Sequence, residues 1–296
     1  MLATLVSKPF HDPGWVYEEK YDGFRLLAYK EGAHVTLLSR NAKDRTSGFA
    51  AIAAAVAQLP AKTLLLDGEA VAFDPHGLSK FQLLQGGHAS RYAVFDCLYE
   101  NGRDLRGDPL SARRQIMENA IGTGRVLLPS RRLDPDGMIA FEQASQRGME
   151  GLVAKDNASP YVEGRSKLWL KVKVHQQDEF VIGGFTAPAG SRQYIGALLL
   201  GAYENGKLRY VGKVGTGFNT RTLASLHATF QPLVREKPPF VDAPRERDVT
   251  WLKPALVAQI AYQEWTADRK LRQPVFLGLR DDKSPADVVM PSGPTG

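Results

Sequence analysis

The stretch EEKYDGFR (residues 18–25) decides how the rest of the chain is interpreted, because it sets Lys20 among three carboxylates and an arginine. Taken alone, it is a charged, solvated turn. A lysine amine is a nucleophile only when unprotonated, and carboxylates raise its pKa above the ordinary value of about 10.4. A divalent cation or neighbouring cations lower it again. The stretch therefore indicates a chemical site only if the chain also supplies such cations.

Lysines of the required kind occur in KLWLKVK (residues 167–173), which has the alternation of a β-strand. Alternation predicts that the apolar residues at 168, 170 and 172 face a core. Lys171 and Lys173 then lie on the other face, beside Trp169. Two lysines in register either line a solvated strand edge or hold a polyphosphate as point charges.

Further carboxylates lie in DGE (residues 67–69), interpreted as a β run broken at a turn, and in EGLVAK (residues 150–155), where Glu150 precedes an apolar strand. Alone, each is more often a surface turn than a site. By alternation Lys155 faces away from Glu150 unless the strand is bulged, so its role stays open. With one cysteine and six scattered histidines, a metal here would be a hard cation held by carboxylates, Mg²⁺ or Mn²⁺, rather than zinc.

Composition predicts a globular protein of two domains with a polyanionic partner. The 296 residues carry a net charge of +6, and division after Val174 leaves about +3 on each side. Both halves are therefore expected to share a nucleic-acid footprint. We see no membrane span and no secretion signal, and the single Cys97 fits a reducing cytoplasm.

The predicted fold class is α+β, with domains at 1–174 and 175–296. In the first part, strands are predicted around a turn at Gly32, a helix over residues 49–59, another with Ser111 as N-cap, and a third that ends on Gly148. In the second part, short strands, an Asn-Gly hairpin at 205–206 and one helix over residues 220–234 favour a small β-barrel such as an oligonucleotide-binding (OB) fold.

These elements together resemble the nucleotidyltransferase superfamily of ATP-dependent DNA ligases, RNA ligases and mRNA-capping guanylyltransferases. K-x-D-G alone is a weak signal, but the whole series follows the order of that superfamily. The series is KYDGFR (20–25), SR (39–40), DGE (67–69), FD (95–96), EGLVAK (150–155), LKVK (170–173) and RDDK (280–283).

Within that superfamily the chain is most similar to the ligase module of bacterial end-joining ligases of the ligase D type. The phrases that carry this likeness are FVIGGF (180–185), YVGKVGTGF (210–218) and FLGLR (276–280). The resemblance implies a nucleotidyltransferase (adenylation) domain of antiparallel sheets and flanking helices, followed by an OB domain. It also implies an ATP-dependent DNA ligase that seals nicks through a lysyl-AMP and then an adenylated DNA intermediate.

The resemblance further implies what each motif residue does. The implied roles are Lys20 as nucleophile; Glu18 and Phe95 on the edge and face of adenine; Arg25 and Arg40 on ribose and nick phosphates; Glu150 and Glu69 as metal carboxylates, Glu69 also on ribose; Lys171 and Lys173 on phosphates, Lys173 catalytically; and Arg280 and Lys283 on the pyrophosphate leaving group. The last role requires a hinge near residue 174. Phe95 could instead be a core residue, and RDDK an ordinary charged loop.

The implied cofactors are ATP and Mg²⁺ or Mn²⁺, and the implied partner is nicked double-stranded DNA, in repair or end joining. Because the polymerase and nuclease modules of ligase D do not occur in the sequence, a separate repair polymerase and a DNA-end-binding protein are expected. We expect a monomer in the cytoplasm, at the bacterial nucleoid. Two alternatives stay open: an RNA ligase or capping-type nucleotidyltransferase with the same lysine chemistry, and a non-catalytic OB-type binder whose affinity falls with salt.

Overall fold

The computed structural model describes residues 1–174, 176–188 and 193–291. It divides the chain into two compact units, Met1–His175 and Gln176–Gly296. The domain boundary predicted from the sequence falls on His175, which lies outside the described residues. Both units are built mainly of strands with a few helices between them, so the predicted α+β class is confirmed. None of the helices in the described ranges is long and apolar enough to cross a membrane.

The first unit contains two sheets, whose strands are separated along the chain by four helices. In chain order its elements are β1 (Leu2–Leu5), β2 (Trp15–Glu19), β3 (Phe24–Glu31), β4 (His34–Ser39), α1 (Ala50–Ala57), β5 (Thr63–Val71), α2 (Phe81–Gln85), β6 (Arg91–Glu100), β7 (Arg103–Asp104), α3 (Leu110–Ile121), β8 (Leu127–Pro129), α4 (Gly137–Arg147), β9 (Gly151–Asp156) and β10 (Arg165–Lys173).

The two sheets meet along the chain at the motif that contains Lys20. The smaller sheet has the order β1-β10-β9-β2, and the larger has the order β4-β3-β5-β6-β7 with β8 beside β6. The chain leaves the smaller sheet at Glu19 and enters the larger one at Phe24. Residues 20–23 are therefore a short link between sheets, held at both ends by strand pairing.

Apolar faces of the helices cover both sheets and fix their positions. α1 and α3 pack on the larger sheet, in a core that includes Leu26, Leu37 and Leu66. α4 packs on β2 and β9, in a core that includes Tyr17 and Leu152. Burial of each such side chain contributes about 1.5–3 kcal/mol, which makes the sheets rigid supports for the link at 20–23.

Three details of the first unit differ from the sequence-based expectations. β5 runs unbroken through residues 67–68, so this Asp-Gly pair is not a turn; the irregularity in its pairing with β6 lies on β6, where Phe95 falls between the partners of Asp67 and Gly68. Ser111 lies inside α3, whose N-cap is Pro109. Leu168 packs with the cluster of Trp169 rather than with Leu170, because the pairing of β10 with β1 shifts across residues 167–169 and interrupts the alternation.

Two motif glycines are required because another backbone approaches them closely. A Cβ at Gly23 would collide with the carbonyl oxygen of Ala70 on β5. A Cβ at Gly151 would collide with the carbonyl oxygen of Val172 on β10. These close approaches set the link at 20–23 and the start of β9 against their neighbouring strands.

The second unit is a curved sheet wrapped around one core, with a helix between its third and fourth strands. Its elements are β11 (Gln177–Thr186), β12 (Leu198–Glu204), β13 (Lys207–Val214), α5 (Thr220–Phe230), β14 (Val234–Arg235), β15 (Val249–Ala261) and β16 (Val275–Leu279). The strand order is β13-β12-β11-β15-β14, with β16 beside β15. The OB fold that the sequence predicts has this arrangement. Its features here are the pairing of β11 with β15, which are the first and fourth long strands, and the helix inserted between β13 and β14.

Local signals explain much of this unit. Asn205 and Gly206 both have positive φ, as the two-residue hairpin turn between β12 and β13 requires. The predicted helix over residues 220–234 ends earlier, as α5, at Phe230, and a 3₁₀ turn that contains Pro232 follows. Asn219 caps α5 by accepting a hydrogen bond from the backbone N–H of Thr222.

Candidate functional site

Lys20 is held in the link between the two sheets by its backbone and by its side chain. Its N–H donates to the carbonyl oxygen of Gly151 at 3.0 Å. Its Nζ donates to Oε1 of Glu150, and the side chain is 18% exposed. Burial lowers the pKa of Lys20, but the ion pair with Glu150, aided by Asp22 and Glu69, outweighs burial and raises the pKa above its ordinary value. In this state Lys20 is an ammonium group and not yet a nucleophile.

Asp22 also stabilises the link at residues 20–23, through hydrogen bonds to residues at and just before the start of α2. Its carboxylate accepts a hydrogen bond from the backbone N–H of Phe81, in the first turn of α2, at 3.2 Å. Its own N–H donates to Oγ of Ser79 at 3.0 Å. The aspartate of the K-x-D-G motif therefore anchors the link to α2, which keeps Lys20 in a defined position.

Glu18, two residues before Lys20 on β2, lies in a buried cluster of cations. Lys155 Nζ donates to its Oε2 at 2.7 Å, Ser130 Oγ donates to the same oxygen at 2.6 Å, and Arg114 donates to Oε1. Burial raises the pKa of Glu18, but Lys155 and Arg114 together lower it below the usual range. Glu18 is thus a fixed carboxylate, and Lys155, whose role the sequence left open, is its partner.

Phe95 lies beside this cluster, between side chains from several strands. Lys155 Nζ is 4.6 Å from the centroid of its ring, and Cζ of Arg25 is 5.3 Å from it. Trp169 meets it edge-on at 5.8 Å. Phe95 is only partly buried. A partly exposed aromatic ring can stack on a flat heterocycle.

The remaining predicted residues of the first unit lie on strands next to Lys20 or at a strand end. Glu69 is opposite Arg25 in the pairing of β5 with β3. Lys171 and Lys173 are opposite Val153 and Gly151 on β9, on the face away from the core under α4. Arg40 is exposed in the turn that follows β4.

Arg280 and Lys283 are held by partners within the second unit. Arg280 is buried, forms a bidentate pair with Asp282 at 2.8 Å, and donates to Oε1 of Gln259 at 2.7 Å. Lys283 Nζ lies 3.2 Å from Oε1 of Glu179. Any action of these two cations on a leaving group requires that they exchange those partners.

Sequence reasoning missed two buried arginines of α3 that support the site. Arg114 binds Glu18, and Arg113 forms a fully buried bidentate pair with Asp96, next to Phe95. The buried residues of α3 are Leu110, Arg113, Arg114, Met117, Ala120 and Ile121. This helical spacing places both arginines on the apolar face of α3. Charged residues are buried only when they are paired, so arginines on an apolar helix face are the sequence signal that could have identified them.

The carboxylates present fit a divalent cation that binds together with a polyphosphate. Glu150 is nearly buried beside Lys20, and Glu69 is close enough to raise the pKa of Lys20. Within the described residues no group of three or more acidic, histidine or cysteine side chains forms a metal cage. Two carboxylates with substrate phosphates and water are the usual ligands of Mg²⁺.

Glu19 has a different role from Glu18, because its side chain faces the opposite side of β2. It is buried, and its Oε2 accepts no hydrogen bond from the residues that the structure describes, although Arg131 Nη1 lies 3.2 Å away. Arg131 is largely exposed, so water screens its attraction. Burial raises the pKa of Glu19 to about 7, against the opposing effects of Arg131 and Arg147.

The Glu19→Gln variant is expected to be more stable than the wild type above pH 7 and equally stable near pH 4.5. Between these values the folded protein retains a proton that the unfolded chain has lost, so wild-type stability falls as the pH rises. The shift from 4.5 to about 7 corresponds to roughly 3 kcal/mol. Urea unfolding of the first unit at pH 5 and pH 8 measures it. The exposed Glu142→Gln is the control, and an equal gain in both variants would contradict the assignment.

Comparison with known proteins gives family matches to both units. A family described as the ATP dependent DNA ligase domain matches residues 1–173, and the ATP dependent DNA ligase C terminal region matches residues 191–283. The chain is 39% identical over 312 residues to the Multifunctional non-homologous end joining protein LigD of Pseudomonas aeruginosa, covering 99% of this chain. It is 38% identical over 283 residues to the LigD DNA repair protein of Mycobacterium tuberculosis, covering 93% of this chain.

A solved structure agrees with these sequence matches. The mycobacterial DNA ligase D complexed with ATP and MES superimposes with a TM-score of 0.69 and 35% identity, over 97% of this chain and 98% of that one. The chain spans 37% of the length of each of the two LigD relatives. Since the first match alone covers more than half of the residues, and includes the Lys20 link and the strands around it, this chain belongs to the ATP-dependent DNA ligase family.

Proposed function

We propose that this chain is an ATP-dependent DNA ligase that seals nicks with a 5′-phosphate and a 3′-hydroxyl. The observation that carries the proposal is the Lys20 amine, fixed between two sheets and paired with Glu150, in a chain that belongs to this family. The sequence matches to LigD proteins support end joining or repair as the setting. They also favour DNA over the RNA-joining and capping alternatives.

In the proposed first step, Lys20 Nζ attacks the α-phosphate of ATP, forming a P–N bond, and pyrophosphate leaves. The 5′-phosphate at the nick then displaces the lysine and takes the AMP, and the 3′-hydroxyl finally displaces AMP. Each step is phosphoryl-type transfer, in which positioning and charge neutralisation provide most of the rate enhancement. The rigid link at 20–23 provides the positioning.

Adenine is proposed to bind at Phe95 and Glu18, with Lys155 beside both. Lys171 and Lys173, with Arg25 and Arg40, are proposed to hold phosphates and ribose. Arg280 and Lys283 are proposed to act on pyrophosphate after release from Asp282 and Glu179, about a hinge near residue 174.

Glu150 and Glu69 are proposed to hold the divalent cation, Mg²⁺ or Mn²⁺. The cation would neutralise the triphosphate and lower the pKa of Lys20. Glu150 must exchange its ion pair with Lys20 for this role, and the amine is then no longer held as an ammonium group. In the cell we propose a monomer that works at the nucleoid with a DNA-end-binding protein and a separate repair polymerase.

The test is the intact mass of the protein after incubation with ATP and Mg²⁺ or Mn²⁺, followed by addition of a nicked substrate. We expect a gain of one AMP that is lost on nicked DNA as the nick is sealed. An adduct that persists on DNA and discharges onto nicked RNA would favour an RNA ligase. Absence of an adduct, in protein shown to start free of AMP, would refute the proposal and leave a nucleic-acid binder.

A further inference from the structure

Asp67 on β5 is a fully buried carboxylate to which the proposed function gives no role. Nε and Nη2 of Arg25 donate to its two oxygens at 2.9 and 2.5 Å, and the Tyr161 hydroxyl donates to Oδ2 at 2.8 Å. A bidentate pair defines the plane of the guanidinium group. The third hydrogen bond fixes the carboxylate itself, so Arg25 is oriented by a partner that is in turn oriented by Tyr161.

Arg25 also contacts an aromatic ring, in addition to its pair with Asp67. Its Cζ lies 5.3 Å from the centroid of Phe95, the proposed base-binding ring. Its Nη1 donates no hydrogen bond to the residues that the structure describes, and the side chain is 23% exposed. The guanidinium therefore has one edge on Asp67 and a cation–π contact with Phe95, and the N–H groups of Nη1 are available to a ligand.

Tyr161 comes from the loop that joins β9 to β10, and neighbours keep its ring in place. It meets Trp169 edge-on at 6.1 Å, and Cζ of Arg113 lies 5.9 Å from its centroid. Its backbone N–H donates to the carbonyl oxygen of Arg106 at 2.8 Å. Burial beside Asp67 raises the pKa of Tyr161, so the hydroxyl stays protonated and remains a donor.

We propose that Tyr161, acting through Asp67, is a positioning residue that sets the orientation of Arg25 for the adenylylation step. This inference rests on the proposed ligase function and makes that site more specific. Tyr161 is not among the residues proposed to bind substrate. Its hydroxyl bonds Asp67, which in turn pairs with Arg25, the arginine that follows the Lys20 link. A displacement of the Tyr161 hydroxyl therefore changes the orientation of Arg25.

The experiment is a double-mutant cycle on the rate of lysyl-AMP formation, with kcat and KM for ATP determined separately. Tyr161→Phe removes only the hydroxyl and is expected to lower kcat/KM by about three- to tenfold, as for loss of one hydrogen bond. In an Arg25→Gln background the same change is expected to have no further effect, because the oriented group is already gone. Asp67→Asn is the second variant, for use if Tyr161→Phe folds poorly. It is also expected to lower kcat/KM in the wild-type background and to have no further effect in the Arg25→Gln background.

Tyr17→Phe is the matched control. Tyr17 is also buried and accepts a hydrogen bond from the backbone N–H of Asp12 at 3.0 Å, but it lies in the core under α4. The Tyr17→Phe variant should leave the rate of lysyl-AMP formation unchanged. The inference would be overturned if Tyr161→Phe lowered the rate of lysyl-AMP formation equally in the wild-type and Arg25→Gln backgrounds, or in neither. The ligase function would still be supported in that case, provided that the wild type forms the AMP adduct. A wild type that forms no adduct would instead refute the ligase itself.

Discussion

Replacing Lys20 by alanine is expected to lower the rate of AMP transfer to the protein by at least about 10⁴-fold, because the substitution removes the amine that is proposed to attack ATP. In the proposed chemistry the P–N bond forms on Nζ of Lys20. The measurement is the intact mass after incubation with ATP and a divalent cation. Binding of nicked DNA should persist, since the basic residues of both units remain.

Lys20→Arg is the informative companion variant. Arginine keeps the positive charge and can still pair with Glu150, but it does not lose a proton at accessible pH. If Lys20 acts as nucleophile, this variant should be as inactive as the alanine variant. If Lys20 only binds phosphate, arginine should restore most of the rate, and an AMP adduct in the arginine variant would rule out the nucleophile.

Glu150→Gln is expected to lower the rate of lysyl-AMP formation by about 100-fold, with little rescue by added Mg²⁺ or Mn²⁺. The structure allows two opposite expectations for this variant. Glu150 raises the pKa of Lys20, so its removal alone would make the amine easier to deprotonate. If Glu150 must hold the divalent cation, its removal lowers the rate of lysyl-AMP formation instead, and this lower rate is the result that we expect.

The pH dependence of Glu150→Gln separates the two roles. A variant that is faster than the wild type at neutral pH would show that Glu150 only restrains Lys20. Glu142→Gln, a glutamate exposed on α4, is the control for removal of one negative charge and should leave the rate unchanged. The rate is measured in a single turnover so that later steps do not mask it.

Much of the fold follows from local signals in the sequence. The hairpin at Gly32, the helix before Pro60, the end of α4 at Gly148 and the Asn205-Gly206 turn all lie where the sequence predicts them. Each depends on backbone preferences of neighbouring residues, which act over a few positions. The ordered motif series also indicated the family that the comparisons show.

Local signals failed where the pairing of distant strands decides the outcome. Asp67-Gly68 continues β5 instead of forming the predicted turn, and the shift in the pairing of β10 places Leu168 in another cluster. Alternation along one strand could not relate Lys155 to Glu18, because β9 and β2 are far apart in sequence and adjacent in the sheet. The partner of a strand, and so the register, is a tertiary property.

The amino-acid sequence by itself determined the kinds of chemical group available: one lysine in a glycine-containing link, carboxylates that suit a hard cation, and lysines in register on a strand. Only the tertiary structure decided which groups pair. It places Glu150 on Lys20, Lys155 and Arg114 on Glu18, and Tyr161 with Arg25 on Asp67. The physical reason is that buried charges persist only with partners, and those partners come from elements that folding alone brings together.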